Sequence, residues 1–139
     1  MPVLVDTSAW VEFFNDRPSP EAQAVTDLLE GADEPCTCGI IVTEVLQGLR
    51  RDRTRSEVHS LLTTITLLEP LALSTYVRAA DLFRGLRSRG VTVRSTVDCI
   101  IATIADEWGA SLLARDGDMT GILASGLLRI RPWPEPAET

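Results

Sequence analysis

Four carboxylates, Asp6, Glu44, Asp98 and Asp116, stand where an acid needs a reason. Asp6 ends the apolar run Val3-Leu-Val5, and Asp116 follows Leu112-Leu-Ala114 with Asp118 two residues further on. On a helix, Glu44 has Ile40, Ile41 and Gly48 as neighbours, and Asp98 has Ile101, Ala102 and Ala105. Both acids therefore lie on or beside an apolar face, where a carboxylate is costly unless a cation or hydrogen bonds compensate it. Gathered in one place, the four would repel, and at least one pKa would rise unless a divalent cation neutralised them. Such a nest of hard oxygen ligands selects Mg²⁺ or Mn²⁺. The chemistry that follows is attack of a bound water on a phosphate ester.

Each acid also has a purely structural explanation. Asp6 suits a helix N-cap or an Asx turn, and Asp116-Gly-Asp118 suits a solvated turn. Glu44 could reach water or pair with one of the arginines between Arg50 and Arg55. Ser95-x-x-Asp98 has capping-box spacing, which alone accounts for an acid in a first helical turn. Asp106 and Glu107 share a face with Cys99, Ala102 and Thr103, and read as solvated charges.

The elements that must position these acids read as short strands alternating with helices. Pro2–Val5 is a strand-type run, and Ala9, Trp10, Phe13 and Phe14 follow at helical spacing. A second helix spans about Ser19 to Glu30, with Gly31 as its stop. Residues 34–38 form a short strand and Ile40–Leu49 a third helix. An arginine-rich turn, Arg50–Arg55, leads to a fourth helix through Val58, Leu61, Leu62 and Ile65. Glu69–Leu73 is a connection or brief strand, Ser74 caps a fifth helix that stops at Gly90, and Val97–Trp108 carries a strong 3.6-residue stripe. Ser111–Ala114 is a strand, a short helix follows, and Leu128–Arg131 is a last strand. The expected fold is α/β, three layers, with a mostly parallel sheet of about five short strands covered by helices. In such sheets ligands bind beyond the carboxyl ends of the strands, where Asp6 and Asp116 fall.

The chain of 139 residues is the size of one domain, read as residues 1–131 with a proline-rich tail over 132–139 that is loose beyond Trp133. All 13 bases are arginine, and 20 acids set the formal charge at −7. That balance excludes a module that grips nucleic acid by bulk positive charge. The longest uncharged run, Val58–Leu68, is far short of a membrane span, and no secretory leader is recognisable at the start. Three cysteines, Cys36, Cys38 and Cys99, read as buried free thiols of a reducing, cytoplasmic setting. With the lone His59 they lack the ligand count of a zinc site.

Four segments together resemble the PIN-domain ribonucleases, most closely the VapC-type toxins of bacterial toxin–antitoxin pairs. They are Val3-Leu-Val-Asp-Thr-Ser-Ala-Trp10, Val42-Thr-Glu44, Arg94-Ser-Thr-Val-Asp-Cys-Ile-Ile-Ala102 and Leu112-Leu-Ala-Arg-Asp-Gly-Asp118. The resemblance runs from Val3 to about Arg131 and keeps the family's order of motifs. It implies a Mg²⁺- or Mn²⁺-dependent endoribonuclease with Asp6, Glu44, Asp98 and Asp116 as metal ligands and Asp118 as an auxiliary acid. It further implies that Thr7 orients a metal-bound water, and that the protein is a homodimer restrained by a cognate VapB-like antitoxin. Ala114 stands where relatives often carry Thr or Asn, which implies one polar contact fewer at the site, and Met119 stands where an aromatic is usual, which implies a change of packing.

RNA would have to be held locally. Arg50, Arg51, Arg53 and Arg55 form one cluster, and Arg84, Arg87, Arg89 and Arg94 another. Most are expected to be solvated or paired with Asp52, Glu57 and Asp81, whereas Arg94, just before the Asp98 helix, is the candidate phosphate contact. Two other readings compete. An aspartate-based phosphatase would phosphorylate Asp6, but Ser8 stands where such enzymes place a second acid, and the chain has no lysine. A degenerate nuclease fold that only binds a partner would not need four carboxylates.

Overall fold

The computed structural model describes residues 1–15, 18–49, 52–93, 95–115 and 117–136, and for Asp52, Arg53 and Asp118 the backbone alone. In chain order the elements are β1 (Pro2–Val5), α1 (Thr7–Phe14), α2 (Pro20–Glu30), β2 (Glu34–Thr37), α3 (Gly39–Gln47), α4 (Asp52–Thr64) and β3 (Thr66–Leu67). They continue as α5 (Leu73–Ser88), α6 (Thr96–Glu107), β4 (Ser111–Leu113) and α7 (Gly117–Ala124).

The apolar runs decide the centre of the sheet. Val3, Leu4 and Val5 are completely buried, as strands covered on both faces must be. Among the described residues the strands form one parallel sheet in the order β3-β2-β1-β4. Leu4 is in register with Cys36 on one side and Leu112 on the other. Every strand therefore points its carboxyl end the same way, toward Asp6 at the end of β1 and Arg115 beyond β4.

Helices flank the sheet. α1 packs on α2 and α3, α5 on α6, and α6 on α7. Trp10, fully buried, stacks on Phe14 with ring centroids 5.3 Å apart, and Phe13 meets both edge-on. The cysteines at 36, 38 and 99 are all buried free thiols, as expected.

Several boundaries differ from the sequence reading. Among the described residues the sheet has four strands rather than about five. The segment expected as a last strand makes only an isolated parallel bridge between Leu112 and Pro132. Leu112 N–H donates to Arg131 and Trp133 N–H donates to Leu112, but Pro132 has no N–H with which to extend a ladder. The third strand is Thr66–Leu67, ahead of the Glu69–Leu73 segment first considered, because Leu68 N–H continues onto Thr37. The arginine-rich stretch is no simple turn: α4 already runs from Asp52. Ala72, not Ser74, is the N-cap of α5, without a side-chain cap bond. The turn expected at Asp116-Gly-Asp118 is already helical from Gly117, the first residue of α7.

Candidate functional site

At the carboxyl end of β1, Asp6 continues the pairing with β4, its N–H donating to Leu113 at 2.8 Å. It then turns out of the sheet as N-cap of α1. Its Oδ2 accepts Ser8 N–H at 3.3 Å and Ser8 Oγ at 2.7 Å. The capping role expected of Asp6 is therefore real. A cap alone does not require burial, yet Asp6 is only 3% exposed.

Thr7 opens α1 and donates its hydroxyl to Glu44 Oε1 at 2.8 Å. That bond joins the first acid's neighbour to the second acid across α1 and α3. Glu44 is half-buried. Cys38, the N-cap residue of α3, reports the same convergence electrostatically. Its thiol is held above its usual pKa, mainly by burial and in smaller part by the Asp6 and Glu44 carboxylates.

Asp98 lies in the first turn of α6, buried at 9% exposure. Ser95 caps that helix by accepting Val97 N–H at 3.1 Å. α6 also packs against α3, the helix that carries Glu44. Asp116 and Arg94 lie outside the described residues, and only the backbone of Asp118 is described. Among the described residues, Asp6 and Glu44 are linked through Thr7, and no group of three His, Cys, Asp or Glu side chains is placed to hold a metal.

In kind, the donors suit a hard cation. They are carboxylates and hydroxyls at the mouth of a parallel sheet.

Three residues of this region were missed at the sequence level. Arg115 N–H donates to Ser8 Oγ at 2.9 Å, and the Arg115 guanidinium ion-pairs with Glu12, which is buried. The available signal was the spacing Ser8-x-x-x-Glu12, with the glutamate lodged between Val11 and Phe13.

Asp106 and Glu107 are a correction of another kind, since they are not simply solvated. Glu107 takes the buried Thr75 hydroxyl at 2.7 Å and Arg78 at 3.1 Å, while Asp106 takes Arg78 at 2.7 Å and Arg129 N–H at 2.9 Å. They fasten α5 and the segment after α7 to the end of α6. Of the second arginine cluster, Arg84 and Arg87 are exposed, and Arg89 donates to the Ser125 carbonyl at 2.8 Å. No helix among the described residues is long and apolar enough to cross a membrane.

The family model for the PIN domain matches residues 3–122. Ribonuclease VapC11 of Mycobacterium tuberculosis and a VapC ribonuclease of Mycobacterium bovis are each 38% identical over 117 residues, 84% of this chain and 87% of theirs. Among solved structures, VapC20 of M. tuberculosis, a sarcin-ricin loop cleaving toxin, superposes with a TM-score of 0.68 at 20% identity, covering 94% of this chain and 99% of that one. The VapBC-1 structure from nontypeable Haemophilus influenzae gives 0.69 at 17% identity, covering 96% and 98%.

Proposed function

The chain belongs to the PIN domain family, and we propose that it is a divalent-metal-dependent endoribonuclease, the VapC-type toxin of a toxin–antitoxin pair. The observation that carries the reading is the join at the carboxyl end of β1. There a buried aspartate is followed directly by Thr7, whose hydroxyl donates to a half-buried glutamate on α3. Structural acids are seldom arranged this way, because each would be cheaper facing water.

Asp6, Glu44, Asp98 and Asp116 would hold Mg²⁺ or Mn²⁺, with Asp118 as an auxiliary acid. An ion held there would supply a water of lowered pKa and positive charge beside the phosphate. The protein's own contribution is to fix the acids. The β1–β4 pairing sets the backbone of Asp6, and Ser8 sets its carboxylate. Thr7 holds Glu44 Oε1, so its hydroxyl proton is committed to orienting that acid. Arg94 is proposed as a phosphate contact beside the cleft, and any grip on RNA is local because the chain as a whole is acidic.

The remaining parts of the proposal are a homodimer, a cytoplasmic setting, a single nuclease domain over residues 1–131 with 132–139 as a tail, and restraint by a VapB-like antitoxin. Co-expression tests the partner: an antitoxin from the neighbouring reading frame should co-purify with the chain and abolish its RNA cleavage. RNA hydrolysis by the purified chain, present with Mn²⁺, absent with EDTA and lost in Asp6→Asn and Asp98→Asn, tests the activity. Folded wild-type protein that cuts no RNA with either ion would refute it.

A further inference from the structure

The carboxylate of Asp6 is oriented by residues outside the acidic set. Ser8 Oγ gives its one proton to Asp6 Oδ2 at 2.7 Å and accepts Arg115 N–H at 2.9 Å. Its hydroxyl is thus shared between the end of β1 and the segment leaving β4. One turn along α1 stands Glu12, four residues from Ser8 and therefore on the same side of the helix. Glu12 is 5% exposed and ion-pairs with the Arg115 guanidinium. One side of α1 accordingly holds Arg115 twice, by its backbone N–H and by its side chain.

An aspartate carboxylate turns easily about its last torsion, which is broad and roughly two-fold. A short bond to one oxygen fixes the plane, and hence the direction of the other, only if the donor is itself immobile. Ser8 meets that condition because its oxygen is tied to Arg115, and Arg115 is tied to Glu12. A serine hydroxyl without such an anchor would turn with the carboxylate it served.

We propose that Ser8 and Glu12 are positioning residues, which clamp Arg115 at the exit of β4 and thereby set the Asp6 carboxylate for a hard divalent cation. The inference rests on the metal-nuclease reading above. Outer-shell partners of this kind typically account for about 10–100-fold in metal affinity or activity.

Mn²⁺ affinity, read from the electron paramagnetic resonance signal of the free ion and paired with metal-free melting curves, tests the clamp. Ser8→Ala should weaken Mn²⁺ binding by about 10–100-fold, while Ser8→Thr, which keeps the hydroxyl, should retain wild-type affinity. Glu12→Gln should weaken binding in the same direction. In the double variant the losses should combine to less than the product of the singles, because both act through Arg115. RNA cleavage should lose kcat with little change in KM. Ser8→Ala that melts lower but binds Mn²⁺ like wild type would overturn the proposal, leaving the Ser8 hydroxyl a merely structural contact. If Ser8→Ala does not fold, Glu12→Gln decides the question, and unchanged affinity there is equally fatal. Wild-type protein that binds no Mn²⁺ is a separate result, and it removes the metal-nuclease reading itself.

Discussion

Asp6 illustrates how one side chain answers two demands. Its backbone ends a buried strand, its carboxylate caps α1, and yet the whole residue is withdrawn from water. Asp6→Asn would keep the shape and most of the cap while removing the charge a cation needs. Its RNA cleavage should therefore fall by at least about 100-fold, the upper end of what outer-shell losses cost, with little change in melting temperature. Glu44→Gln makes the complementary case. The Thr7 hydroxyl can still be accepted by an amide oxygen, so the Thr7 link survives while repulsion with Asp6 is relieved. Metal-free protein should become slightly more stable and its Mn²⁺ affinity weaker, as paired calorimetric melts and titrations would read. A destabilised metal-free variant would mean instead that the charge of Glu44 is held by a cationic partner.

At the scale of elements, the acids at the end of α6 have the largest predicted structural effect. Glu107 has a side chain 6% exposed and accepts the hydroxyl of fully buried Thr75. Glu107→Ala would strand that hydroxyl, which by general measure costs about 1–3 kcal/mol. Urea unfolding should show it as a lower midpoint at unchanged slope. Arg78→Ala should cost less, about 1 kcal/mol or under, because its guanidinium is half-exposed and screened by water. Sequence periodicity found α6 and its inward stripe. It could not show that Asp106 and Glu107 face α5, since helical spacing gives relative direction within a helix and not which neighbour lies beside it. Strand β3 was misplaced for a similar reason. Two exposed residues, Thr66 and Leu67, carry no alternation, and only pairing with β2 makes them a strand. The supposed last strand failed on local chemistry that was visible, because Pro132 lacks a donor. Asp6 and Glu44 were legible as inward acids. Their connection through Thr7 was not, because it spans 37 residues and depends on how α1 and α3 meet.

Taken as a whole, the molecule is an acidic α/β domain whose core contains three free thiols. Burial, aided by Glu34, pushes the Cys36 thiol up from 9.0 to about 11, and burial raises Cys38 as well. A folded-state pKa above the unfolded one means that the folded thiol keeps its proton while the unfolded thiol loses it. Stability should then be unaffected by these groups below pH 9.0 and should fall as pH rises toward about 11. Denaturant midpoints across that window would check it. In native buffer near pH 8, thiol reagents should label Cys36 only on the timescale of unfolding.

The same acidity returns at the level of function. With a formal charge of −7, the protein cannot hold RNA by its overall field, so under the proposed function substrate engagement would run through the ion and a few local arginines. The most direct test is cleavage of a defined RNA by the purified chain and by Asp6→Asn, each with Mn²⁺ and after chelation. The account predicts cutting by wild-type protein with Mn²⁺ alone. Equal cutting by Asp6→Asn, or undiminished cutting after chelation, would contradict it.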